Sequence, residues 1–170
     1  REVGLHLSPG AHIYLPPNIA GFVGADHVSM VLASEIWNTD QTVIALDIGT
    51  NTEITLARSG KILCCSCASG PAFEGAHIKD GMRAAPGAIE KIQFIGGEFQ
   101  YQTIVQRPPV GICGSGILDA AATLLDAGVL DSIGRLRKDA PSVRGEGGKA
   151  EFVLVPAEDT GHGRDIVVTR

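Results

Sequence analysis

One segment limits what this chain can fold into more than any other: Val43-Ile44-Ala45-Leu46-Asp47-Ile48-Gly49-Thr50-Asn51-Thr52-Glu53-Ile54-Thr55-Leu56. Four apolar residues run into one acid and a turn of small residues, after which a second strand leaves. The unbroken apolar run predicts a strand over 41–48 buried on both faces. A carboxylate buried at its end costs several kcal/mol unless it is paired or linked to a metal ion. The turn offers successive backbone N–H groups and the Thr50 hydroxyl, a combination suited to a phosphate and its Mg²⁺. Two readings stay open on this segment: a nucleotide-phosphate turn, or an ordinary β-hairpin with Asp47 capping the turn.

The chain's 170 residues, 44% of them apolar, are enough for one real core and suggest one domain. Its 14 basic and 19 acidic residues leave a formal charge of −5 without any Lys/Arg cluster, which argues against a nucleic-acid surface. It shows no signal peptide and no apolar stretch of membrane-spanning length, so a cytoplasmic setting and no membrane partner are expected. The first residue is Arg1, not Met, and Asp165 to Arg170 read as a strand cut short, so a piece of a longer protein is expected. Three of the four cysteines lie in Leu63-Cys64-Cys65-Ser66-Cys67, where Cys65 and Cys67 share one strand face and Cys64 the other. With Cys113 far away and no Cys-x-x-Cys spacing, they read as buried free thiols, not as cluster ligands. His6, His12, His27, His77 and His162 show no metal-type spacing either.

Along the chain, Pro9-Gly10 and Pro16-Pro17 keep residues 1–23 loop-rich, and Gly24-Ala25-Asp26 opens a helix to about Trp37 with Asp26 as N-cap. Strands near 53–58 and 61–67, joined at Ser59-Gly60, extend the first strand into an antiparallel meander. Strands near 88–95 and 98–106 flank Gly96-Gly97, a hairpin signal. A helix from about 116 to 128 follows, with Leu118, Ala122, Leu125 and Val129 on one apolar stripe and Asp119, Thr123 and Asp126 off it. Residues 137–150 read as a surface loop, and strands near 151–155 and 165–169 close the sequence.

Gly111-Ile112-Cys113-Gly114-Ser115-Gly116 precedes that helix, so its N–H groups, at Gly114 and Ser115 above all, face an anion or pack closely on the sheet with Ser115 as cap. The loop does not fit Gly-x-Gly-x-x-Gly, and no base can be assigned to Cys113 as a nucleophile. Glu53 lies two residues past the turn centre, where it would orient a water near a bound phosphate or else be an exposed strand residue. Glu74, in Gly70-Pro71-Ala72-Phe73-Glu74-Gly75, is either a loop anchor or a ligand contact.

Several segments in order resemble one family. They are Ile19 to Asp26, Asp47 to Ile54, Ser69 to Ala76, Gly81-Met82-Arg83-Ala84, Pro86-Gly87-Ala88-Ile89 and Gly111 to Gly116. Together, over roughly residues 15–135, they are similar to the C-terminal domain of the reductive activators of corrinoid proteins. The resemblance implies a fold of the actin, sugar kinase and Hsp70 ATPase superfamily, in which two ribonuclease-H-like halves close over ATP. A full-length relative carries an N-terminal [2Fe–2S] ferredoxin domain, a linker domain and this ATPase-like domain, and drives electrons to a Co(II) corrinoid, restoring Co(I). The resemblance makes Asp47 to Asn51 the second of two Asp-x-Gly turns, with the first turn and the adenosine loop outside this sequence. Relatives usually place Gly where Thr52 stands, and a β-branched residue tolerates φ > 0 poorly, so the turn is expected to differ locally.

The sequence is therefore read as an α/β chain with a mixed sheet and β-hairpins, a ribonuclease-H-like half of an actin/Hsp70-type ATPase fold. Residues 1–40 are taken as a connecting segment and helix, and residues 41–170 as the second ribonuclease-H-like subdomain, incomplete at its C-terminus. The resemblance implies ATP and Mg²⁺ as ligands shared with other parts of the protein, and a [2Fe–2S] centre in the parent but not in this chain. Asp47 would act on Mg²⁺ through water, Gly49, Thr50 and Asn51 would hold phosphate, and Glu53 would orient the hydrolytic water. The partner is expected to be a corrinoid protein of a methyltransferase system, and analogy allows a homodimer. The rival readings are a small-molecule kinase of the same superfamily and a non-catalytic docking domain.

Overall fold

The computed structural model describes residues 6–145 and 147–169. The chain divides into two compact units, one formed by Arg1–Asp47 with Thr52–Cys67, the other by Ile48–Asn51 with Ala68–Arg170.

The first unit combines helix α1 (Ala25–Ala33) with strands β1 (Val43–Ile48), β2 (Asn51–Arg58) and β3 (Lys61–Ala68), hydrogen-bonded in the order β1-β2-β3. α1 is shorter than predicted. Its N-cap is Gly24, and Asp26, one turn position inside the helix, accepts the N–H of His27 at 2.9 Å instead of capping. Glu35 then takes a left-handed φ of 53°, which stops the helix before a short 3₁₀ turn at Ile36–Asn38. β1 alternates between half-buried and exposed residues, with Ile44, Leu46 and Ile48 on the exposed face, so the expected two-sided burial does not occur. An apolar run cannot by itself report which of its faces finds a neighbour. β3 alternates as the parity argument requires, but the expected burial of its thiols is wrong. Cys64 is half-buried, Cys65 and Cys67 are exposed, and only Cys113, in the second unit, is buried.

The second unit contains a mixed sheet with the order β5-β4-β6, made of β4 (Ala88–Ile95), β5 (Glu98–Thr103) and β6 (Gly111–Ile112). β4 and β5 pair antiparallel through Gly96 and Gly97, whose φ values of 64° and 91° lie in the left-handed region that favours glycine, as the hairpin signal predicted. β5 ends at Thr103, where Val105 and Gln106 turn left-handed and break the predicted longer strand. β6 pairs parallel with the first two residues of β4. Helix α2 (Gly114–Asp126) packs on this sheet and ends as predicted near Gly128, whose φ of 70° lets Val129 N–H return to the Leu124 carbonyl at 2.8 Å. A third sheet follows with the order β7-β8-β9, formed by β7 (Val143–Arg144), β8 (Glu151–Val155) and β9 (Ile166–Thr169), β7 lying within the stretch predicted as loop.

Ile89, Ile92 and Ile112 from the mixed sheet, Ala120 and Leu124 from α2, and Phe152, Val155 and Ile166 from β8 and β9 form the core of this unit. Each large apolar side chain enclosed there contributes about 1.5–3 kcal/mol. The stripe of α2 that faces this core differs from the predicted one. Gly116, Ala120 and Leu124 are buried, whereas Leu118 and Leu125 are 48% and 50% exposed. Polar side chains decide that rotation. β6 covers only the start of β4, and beyond it Ser115 donates to the Glu90 carbonyl at 2.9 Å, Asp119 accepts the Ile92 N–H at 3.1 Å, and Thr123 donates to the Ile92 carbonyl at 3.2 Å. These residues fall at i, i+4 and i+8, so one polar stripe of α2 satisfies the free edge of β4.

Candidate functional site

In the first unit, β1 delivers Asp47 at the start of the turn. Its side chain is 40% exposed, which corrects the expectation of a buried carboxylate. The half-buried face of β1 sets it against α1, whose third residue, His27, is fully enclosed. The Nε2 atom of His27 lies 2.6 Å from the Thr55 hydroxyl on β2. Its Nδ1 atom has no hydrogen-bond partner and lies 3.9 Å from Asp47 Oδ2. Glu53, also on β2, accepts the Ser66 hydroxyl at 2.9 Å across to β3. Thr52 is buried in β2 without a positive φ, so the β-branched residue is accommodated as extended strand.

In the second unit, the turn residues have local partners. Gly49 N–H donates to the Asn51 carbonyl at 3.1 Å. Thr50 donates twice to one oxygen of Glu74, from its N–H at 2.9 Å and from its hydroxyl at 2.6 Å. The Thr50 carbonyl in turn accepts the N–H groups of Ser69 and Gly70 at 3.0 and 2.9 Å. Every polar group of Thr50 is therefore held by the segment 69–74. A backbone N–H and a hydroxyl converging on one anionic oxygen form the donor set that a phosphate oxygen uses, and here a carboxylate takes that place.

Glu74 is fixed by its loop. Pro71–Glu74 form a 3₁₀ turn between Gly70 and Gly75, at φ of 79° and 82°. A Cβ at Gly75 would come within 2.3 Å of the Met82 nitrogen, and one at Gly114 within 2.1 Å of the Phe73 carbonyl. Gly114 thus lets α2 start directly against the loop that carries Glu74. Gly116 packs on β4 in the same way, its added Cβ falling 2.2 Å from the Ile89 carbonyl. The Gly111–Gly116 segment is a packing device, and Cys113, not Ser115, occupies the N-cap position of α2. Cys113 is buried, with its Sγ 3.3 Å from the Ile89 carbonyl.

Among the described residues, no group of three or more His, Cys, Asp or Glu side chains is placed to hold a metal ion. A magnesium ion bound with phosphate needs only one or two protein carboxylates, the rest being water and phosphate oxygens, and a half-exposed Asp47 fits that share. Sequence reasoning missed His27. It stands 20 residues before Asp47 with no spacing signal, immediately after the Gly24-Ala25-Asp26 segment that opens its helix.

Comparison with known proteins identifies the family of the chain. The profile of the RACo C-terminal domain, described as the ASKHA domain, matches residues 41–170, and that of the RACo middle region matches residues 1–39. The chain is 35% identical over 178 aligned residues to the corrinoid activation enzyme RamQ of Eubacterium limosum, covering 99% of this chain and 30% of that protein. It is 31% identical to the [Co(II) methylated amine-specific corrinoid protein] reductase of Methanosarcina barkeri, over 73% of this chain and 27% of that protein. A solved structure of a reductive activator for corrinoid, iron-sulfur protein superposes with a TM-score of 0.79 and 42% identity, over 92% of this chain and 26% of the other. The chain spans less than a third of the length of each of these proteins. It belongs to the RACo family, with a mixed α/β fold of the ASKHA type.

Proposed function

We propose that this chain forms part of the ATP phosphate site of a cytoplasmic protein that reductively activates a corrinoid protein of a methyltransferase system. The observation that carries the phosphate assignment is the convergence of the Thr50 N–H and hydroxyl on one anionic oxygen. The names of the similar proteins, which act on corrinoid proteins, support the partner. In the full-length protein Gly49, Thr50 and Asn51 cradle the phosphates and Asp47 binds Mg²⁺ through water. The ion, when bound, neutralises charge on the phosphate oxygens. Glu53, which accepts the Ser66 hydroxyl, orients the hydrolytic water. Gly114 serves the site indirectly, by seating α2 against the loop of Glu74, and Ser115 by tying α2 to β4. A [2Fe–2S] centre that supplies electrons belongs to a part of the protein outside this chain.

The test is Asp47→Ala in the full-length protein. ATP turnover, and with it ATP-driven conversion of the partner's Co(II) to Co(I) followed by absorbance, is expected to fall below detection while the protein stays folded, as read by circular dichroism. Unchanged hydrolysis would refute the assignment.

A further inference from the structure

We infer that His27 is a positioning residue for Asp47, holding a proton on Nδ1 and presenting it to that carboxylate. His27 is fully enclosed, yet its Nδ1 has no hydrogen-bond partner, and an orphaned buried polar atom costs about 1–3 kcal/mol. A histidine needed only to fill space would be replaced by an apolar side chain at no such cost. The other ring nitrogen is engaged, at 2.6 Å from Thr55 Oγ1. When the Thr55 hydroxyl donates to Nε2, the ring proton sits on Nδ1, the partner at one nitrogen fixing the proton on the other. The alternative tautomer turns a bare lone pair toward an anionic oxygen 3.9 Å away, which is repulsive.

The separation of 3.9 Å is about 1 Å longer than a hydrogen bond. His27 is held by burial and by Thr55, whereas Asp47 is 40% exposed and free to swing, so the carboxylate closes the gap. Tethering one oxygen removes rotamer freedom that a metal-bound water would otherwise have to freeze. The contact also joins the two matched regions, since His27 lies within residues 1–39 and Asp47 and Thr55 within 41–170. Helix α1 therefore sets the carboxylate of the following domain, within one compact unit.

The consequence for nucleotide binding rests on the phosphate reading, but the proton on Nδ1 does not, and the experiment separates the two. In the full-length protein, Mg·ATP affinity is measured by calorimetry for His27→Asn, His27→Gln and Asp47→Asn. The asparagine amide reproduces a donor at the Nδ1 position, and the glutamine amide one at the Nε2 position. His27→Asn is expected to bind as the parent does, and His27→Gln about 10-fold more weakly, the lower end of what loss of an orienting partner costs a metal site. A purely structural histidine bonded to Thr55 gives the opposite order, which overturns the inference. Should Asp47→Asn leave affinity unchanged, the phosphate reading fails, and the tautomer of the parent's ¹⁵N-labelled His27 decides the inference by itself. The Nδ1-protonated form upholds it and the Nε2-protonated form overturns it. That spectrum also decides if the variants do not fold.

Discussion

At the scale of single residues, Thr50 and Glu74 show how one carboxylate can hold a turn by accepting both an N–H and a hydroxyl. The carboxylate is exposed, so water replaces it when it is removed, and Glu74→Ala is expected to cost only about 1 kcal/mol in a denaturant titration. On the proposed function, phosphate and Glu74 compete for the same two donors, so the same variant is expected to bind Mg·ATP more tightly in the full-length protein. Weaker binding would mean that Glu74 stays in place when nucleotide is bound. The turn and its available Thr50 hydroxyl were legible in sequence, because small residues interrupt the apolar run there. The partner was not, since Glu74 is 24 residues away and only the fold brings it to the turn. The burial of Asp47 was misread for a related reason: an apolar run tells what a strand prefers to touch, not which face is covered.

At the scale of elements, α2 shows where apolar periodicity misleads. Counting apolar positions selected Leu118, Ala122, Leu125 and Val129, of which only Val129, just past the helix end, is buried, because the helix is rotated so that Ser115, Asp119 and Thr123 meet backbone groups of β4. An unsatisfied strand edge outweighs leaving two leucines half-exposed, because each orphaned backbone group costs about 1–3 kcal/mol. The two glycines of α2 obey the same logic. Alanine would gain about 1 kcal/mol of helix propensity at Gly116, but a Cβ 2.2 Å from the Ile89 carbonyl forbids it. Asp119→Ala is expected to lower stability by about 1–3 kcal/mol, read as a shift in the denaturation midpoint. A change under about 0.5 kcal/mol would show that water serves Ile92 equally well. The hairpin at Gly96-Gly97 and the helix end at Gly128 were legible because a positive φ leaves a glycine in the sequence, whereas a polar side chain aimed at backbone leaves no such mark.

At the scale of the molecule, the fold class was read from the family resemblance, while the division of the described residues into three small sheets was not legible, since strand pairing is a property of the assembled chain. The second unit also carries an acid-sensitive cluster, in which Glu151 on β8 accepts from Lys79 and from Arg144, and Arg144 also binds Asp165. Hydrogen bonds from Lys79, then Arg144, hold the Glu151 carboxyl below its ordinary 4.5. A carboxylate depressed in the native state contributes stability above its unfolded value and loses it as pH falls through the native one. The thermal midpoint is therefore expected to drop as pH is lowered below about 4.5, with a shallower slope in Glu151→Gln; coincident slopes would exclude the cluster as a contributor. A fold made of short sheets must also guard many rims. Because α2 lies along β4 past the end of β6, that rim offers no bare template on which a stray chain can zip itself, and a helix does the duty of an absent ribbon.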